Sequence, residues 1–224
     1  MQILNKSGLR FLYGIIILLM SVQYLSAQHT RTEHWQNRNA RFIREADTLK
    51  TGRIIFLGNS ITEGFDLPAY FPVSRPVNRG IKGDHTDGVL ERLQSSVLKP
   101  IPSAVFLMIG INDIGAGDAD SIILGNYRQI LERIRSALPY TRIYVHSILP
   151  TTSRWSNCPK EKINRLNEQI ARLAVKNRCD WVDIHPLFTG PDGYLRPELT
   201  SDGLHLNEAG YRLWTGVLRE KGLQ

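Results

Sequence analysis

Short, almost wholly apolar runs alternate along the chain with segments whose apolar positions recur every three to four residues. The runs "RIIFLG" (53–58), "PVNRG" (76–80), "AVFLMIG" (104–110), "RIYVHSIL" (142–149) and "CDWVDI" (179–184) read as strands. Between them the helical period is clearest in "KEKINRLNEQIARLAVKN", where Ile163, Leu166, Ile170, Leu173 and Ala174 share one face. Similar segments run over 87–98, 121–137 and 207–221, with a surface helix over 33–49. Strands this apolar cannot leave either face in water, so their alternation with helices predicts an α/β fold: a five-stranded parallel sheet between two helical layers, a three-layer α/β/α sandwich. No repeat, low-complexity tract or linker interrupts the alternation, and residues 28–224 are expected to form one domain.

The first 27 residues follow a different rule. Lys6 and Arg10 precede the apolar run Phe11 to Met20, which leads through Ser21 to Ala27 into polar sequence, the pattern of a signal peptide cut after Ala27. The run falls short of the roughly 20 residues a membrane-spanning helix needs, so no stable anchor is expected after cleavage and the mature protein is expected outside the cytoplasm, periplasmic or secreted. Cleavage lowers the formal charge from +7 to +5. The remaining Lys and Arg residues are scattered along helical stretches such as "RQILERIRSAL" and form no basic stripe with interleaved aromatics, which argues against a nucleic-acid partner. Export would place Cys158 and Cys179 where a disulfide can persist; a bridge and two free thiols both remain open. No Cys or His cluster has metal-ligand spacing.

Ligands of such sheets bind beyond the carboxyl ends of the strands, where strand order reverses. Gly58-Asn59-Ser60 follows the first strand, Gly80-Ile81-Lys82-Gly83-Asp84 the second and Gly110-Ile111-Asn112-Asp113 the third. "SDGLHLNEAGY" follows the fifth, with Asp202 three residues before His205. All the polar candidates fall on one rim. Ser60 at a strand-to-helix turn suits a nucleophile, although a serine there also serves as a helix cap. Gly83 reads equally as a turn glycine and Asn112 as an Asx turn.

Taken in order, Ser60, Gly83, Asn112 and His205, closed by Asp-x-x-His, resemble the four motifs of the SGNH hydrolases, also called GDSL-type esterases and lipases, over essentially the whole mature chain. One departure stands out: the first block reads Gly-Asn-Ser-Ile where the family has Gly-Asp-Ser-Leu. The resemblance implies a flavodoxin-like parallel sheet and a Ser60–His205–Asp202 triad. It also implies an oxyanion hole made by the backbone N–H groups of Ser60 and Gly83 and the amide of Asn112, with no metal or organic cofactor. His205 would take the serine proton while Asp202 holds its Nδ1–H, one helical turn earlier. His146 and His185 read as satisfied structural histidines.

Substrate is less sharply written. The loops are short and no lid is inserted, which favours a shallow site. "GNSITEG", "NRGIKGD" and "GINDI" are similar to exported bacterial members that remove acetyl groups from carbohydrates, sialic acid included, and to the platelet-activating-factor acetylhydrolase-like branch. A short-chain acyl ester, on a glycan or another small molecule, is therefore expected, with Lys82, His85, Asp113 and Trp155 lining the pocket. A longer-chain lysophospholipase or thioesterase and a silent glycan-binding module are the alternatives.

Overall fold

The computed structural model describes residues 29–224; the expected signal peptide over 1–27 lies outside them. The strands are β1 (Ile54–Gly58), β2 (Val77–Gly80), β3 (Ala104–Met108), β4 (Arg142–His146) and β5 (Asp180–Val182). The helices are α1 (Glu33–Ala46), α2 (Ser60–Glu63), α3 (Leu67–Tyr70), α4 (Thr86–Glu91), α5 (Ile111–Ala116), α6 (Asp120–Ala137), α7 (Lys160–Lys176), α8 (His185–Phe188) and α9 (Glu208–Glu220), with a π turn at Gln94–Leu98 and a 3-10 turn at Pro197–Leu199. All five strands are parallel, in the order β2-β1-β3-β4-β5. The chain leaves β1 to one side for β2 and returns to its other side for β3, so strand order reverses at β1. Residues 31–224 cluster as one unit, and among the described residues no helix is long and apolar enough to cross a membrane.

Burial explains the composition of the strands. Every residue of β3 is buried, as parallel strands covered on both faces require. Phe56, Phe106 and Tyr144 are register partners on three adjacent strands, and their rings stack at 4.9 and 4.4 Å, each pair adding about 0.5–1.5 kcal/mol beyond its buried area. Trp214 of α9 covers that ladder at Phe56. Helix α6 buries Ile123, Tyr127, Ile130, Leu131 and Ile134, and α7 buries Ile163, Leu166, Ile170 and Ala174, in each case one stripe at helical spacing.

Two elements end earlier than their apolar runs. β4 stops at His146 although apolar residues continue to Leu149, because the side chain of Asn167 replaces a strand neighbour: its Oδ1 accepts from Ile148 N at 2.7 Å and its Nδ2 donates to Ile148 O at 2.9 Å. β3 stops at Met108, and Gly110 turns the chain with φ +117°. The helix expected over 87–98 divides into α4 and the π turn, with the buried Arg92 at the junction. His146 is fully buried beside the Phe106 and Trp214 rings, and burial pushes its pKa down to about 3. His185 Nδ1 lies 2.8 Å from Ile148 O. The buried ring nitrogens of His146 find no hydrogen-bond partner, so the satisfied histidine expected there is not found, while His185 is bonded to the backbone.

Candidate active site

Ser60 is the first residue of α2 but does not cap it. The Asn59 side chain does, accepting from Ile61 N at 3.0 Å, which leaves the Ser60 hydroxyl for other partners. A neutral asparagine therefore suffices at the position where the family pattern has aspartate. Gly58 is required for space: its φ is ordinary, but a Cβ would run into Thr62 Oγ1 and the carbonyl of Met108. The Gly58–Ser60 turn is thus pressed between its own helix and β3.

Ser60 Oγ lies 2.9 Å from His205 Nε2, and His205 Nδ1 lies 2.6 Å from Asp202 Oδ2. With the ring proton on Nδ1, the imidazole donates to Asp202 and accepts the serine proton. The segment carrying the pair is a loop, not the helical turn its spacing suggests. Thr200 and Leu206 close it by an isolated bridge, Gly203 takes φ +90°, and α9 starts only after its cap Asn207. Asp202 Oδ1 accepts from the N–H groups of Leu204 and His205 at 2.9 and 2.8 Å. Burial raises the Asp202 pKa, but these bonds and the one from the His205 ring outweigh it and hold the carboxyl at about 2. The carboxylate is therefore ionised at neutral pH.

Two further segments follow the carboxyl ends of β2 and β3 on the same rim. Gly83 sits in a turn with φ +74°, a conformation open to glycine. Asn112, in the first turn of α5, is half-buried, and its Nδ2 donates to the carbonyl of Asp84 at 2.8 Å. That bond fixes which end of the amide is the donor and leaves its second N–H available. Among the described residues, the N–H groups of Ser60 and Gly83 donate to no backbone carbonyl outside the regular elements.

Beside these donors lies a cavity of about 240 Å³ lined by Gly83, His85, Ile111, Asn112, Trp155 and Leu204, with Gly115, Asn157 and Cys158 completing its wall. His85 and Trp155 are where the sequence places them; Trp155 also donates Nε1 to the carbonyl of Asp202 at 3.1 Å. Lys82 and Asp113 are not. The Lys82 side chain is exposed and outside the lining, while its N–H donates to the carboxylate of Glu63. Asp113 is buried beneath the rim, accepting from Thr86 N at 3.0 Å and from the Thr86 hydroxyl, 3.7 Å from His85 Nδ1. Burial pushes its pKa up to about 6. It caps α4 and does not line the cavity. Sequence reasoning missed Ile111, Leu204 and Cys158 in the wall, since apolar residues next to a motif carry no signal of their own.

Cys158 and Cys179 are both buried free thiols, so the pairing that export would permit is not made. Burial raises the pKa of each, which leaves the Cys158 thiol in the cavity wall unactivated.

The sequence pattern of the GDSL-like Lipase/Acylhydrolase family matches residues 56–213. Platelet-activating factor acetylhydrolase IB subunit alpha1 of Bos taurus is 29% identical over 183 residues, 79% of this chain and 77% of that protein. A structure from Streptococcus pneumonia assigned as a platelet activating factor superposes with a TM-score of 0.79 at 28% identity, covering 93% of this chain and 98% of its own. A GDSL-like lipase of Bacteroides thetaiotaomicron gives 0.74 at 25% identity over 82% and 96%.

Proposed function

Because the chain belongs to the GDSL-like lipase/acylhydrolase family and is a carboxylic ester hydrolase, we propose that it cleaves short acyl esters, acetyl esters of carbohydrates above all, through Ser60, His205 and Asp202. Ser60 Oγ attacks the acyl carbonyl as His205 Nε2 takes its proton; the same proton passes to the leaving alcohol, and a water activated by His205 then releases the acid. The negative oxygen formed at each step faces the N–H groups of Ser60 and Gly83 and the free amide N–H of Asn112. Asp202, ionised throughout, fixes the imidazole and stabilises its charged form.

The observation that carries the mechanism is the Ser60–His205–Asp202 chain at 2.9 and 2.6 Å. The acyl preference rests on the cavity at Gly83 and Asn112: at about 240 Å³, with Ile111, Trp155 and Leu204 in its lining, it is below the roughly 300–1,000 Å³ of sites for drug-sized ligands. The mammalian relatives at 28–29% identity are named acetylhydrolases, which supports acetyl as the acyl group and leaves the alcohol open. Export, expected from residues 1–27, favours a glycan as that alcohol. The test is a series of p-nitrophenyl esters from acetate to octanoate, followed by acetylated sugars including O-acetyl sialic acid. The proposal predicts kcat/KM falling steeply beyond butyrate and acetate release from a glycan. A rate rising toward octanoate would indicate a long-chain acylhydrolase.

A further inference from the structure

The buried charges that this chemistry does not use are concentrated beneath the nucleophile turn. Asp84 and Arg92 have wholly shielded side chains (0% exposed each), and Arg92 Nε donates to Asp84 Oδ2 at 2.8 Å. The same guanidinium donates Nη2 to the carbonyl of Gly58 and Nη1 to Ser96 Oγ, both at 3.0 Å. The other carboxylate oxygen of Asp84 accepts from Trp35 Nε1 at 2.7 Å and from His85 N at 3.1 Å. Gly88 makes room for it, since a Cβ at that position would meet Asp84 Oδ1. The backbone carbonyl of Asp84 holds Asn112 Nδ2.

These bonds form one path. It runs from Gly58, two residues before Ser60, through Arg92 to Asp84, the residue after Gly83, and on to Asn112. Each of the three segments bearing a proposed oxyanion donor is tied into it, and no other buried charged pair among the described residues touches all three. Stability is a poor account of such a pair: burial raises the carboxyl pKa and lowers that of the guanidinium, and buried ion pairs often match or fall below apolar replacements in stability. A planar guanidinium, by contrast, fixes several acceptors at set angles.

We propose that the Asp84–Arg92 pair is the positioning element of the oxyanion hole, setting the spacing of the donors on Ser60, Gly83 and Asn112. The role rests on the serine-esterase reading of the site. Neither side chain touches substrate; both act through the loops they join. A displacement of about 1 Å at a reacting centre costs on the order of 100-fold in rate, so the pair should be visible in kcat.

The experiment compares the wild type, Arg92→Lys and the double variant Asp84→Leu/Arg92→Met. A fluorophosphonate counts competent serines in each, thermal melting reports the fold, and p-nitrophenyl acetate gives kcat per competent site. Lysine keeps the charge but cannot reach Asp84, Gly58 and Ser96 together; the double variant removes the charges at similar volume. Positioning predicts that kcat per site falls about 10- to 100-fold in both with KM and the pH midpoint of kcat/KM unmoved, whatever the melting temperature does. A folded variant with kcat per site within about twofold of the wild type overturns it. If neither variant folds, Arg92→Gln, whose shorter amide cannot join Asp84 to the Gly58 carbonyl, takes their place, and an unchanged kcat there overturns the proposal equally. Ser60→Ala separates the two layers. Wild-type turnover surviving that change would remove the serine mechanism and the positioning role together, whereas Ser60-dependent turnover untouched in Arg92→Lys would remove the positioning role alone.

Discussion

Asp113 offers a quantitative test of how the rim is built. Its carboxyl is buried against Thr86, and burial, with a contribution from Asp118, raises its pKa from 3.8 to about 6 against the pull of the Thr86 hydrogen bonds. A carboxyl whose pKa is higher in the folded than in the unfolded state binds its proton more tightly when folded. The stability it contributes is fully present below pH 3.8 and is lost as pH rises through about 6. At about 1.4 kcal/mol per pH unit the loss reaches about 3 kcal/mol. Asp113→Asn cannot titrate. Replacing one carboxylate oxygen with an amide changes stability by some offset through the Thr86 bonds, but that offset does not vary with pH. The assay is urea denaturation of both proteins at intervals from pH 4 to pH 8, plotting the difference in unfolding free energy. The wild type should lose about 2 kcal/mol of this relative to Asp113→Asn between pH 4 and pH 8, most of it between pH 4 and pH 6.5. His85 Nδ1 lies 3.7 Å from Asp113 Oδ2, and His85→Gln in both backgrounds should leave the direction of the slope intact. A difference that stays flat, or that grows in favour of the wild type as pH rises, would refute the burial argument.

Two other perturbations address the site directly. Asn112→Ala removes one proposed oxyanion donor and should lower kcat about 100- to 1000-fold with little effect on melting; near-wild-type kcat would take Asn112 out of the mechanism. Gly58→Ala forces a Cβ against the Met108 carbonyl and Thr62 Oγ1, so stability should fall by about 1–3 kcal/mol and kcat per titrated serine by about 100-fold. A folded Gly58→Ala protein with normal kcat would show that the close approach does not hold Ser60 in place.

The parallel sheet was legible because its signal is local: each strand is a short apolar run, and each helix repeats its apolar stripe. The polar candidates were legible because strand ends in such a sheet share one rim. What escaped depended on side-chain direction and on partners distant in sequence. Asp113 sits next to Asn112 in the same motif, yet one turns up to the rim and the other down to Thr86. Arg92 reads as one more cation on an amphipathic helix until Asp84, eight residues earlier, is seen beneath the same turn. The end of β4 depends on Asn167, a polar residue on the buried face of α7 that the apolar period passes over. Asn59 departs from the family pattern but preserves the hydrogen bond that its position has to supply, and only the geometry of the cap shows this.

The central claim is that Ser60 carries the chemistry, and the most direct measurement is turnover of p-nitrophenyl acetate by the wild type and by Ser60→Ala at equal concentration. The mechanism predicts a drop of at least about 10⁴-fold in kcat, with the melting temperature preserved. Equal rates in the two proteins would contradict it.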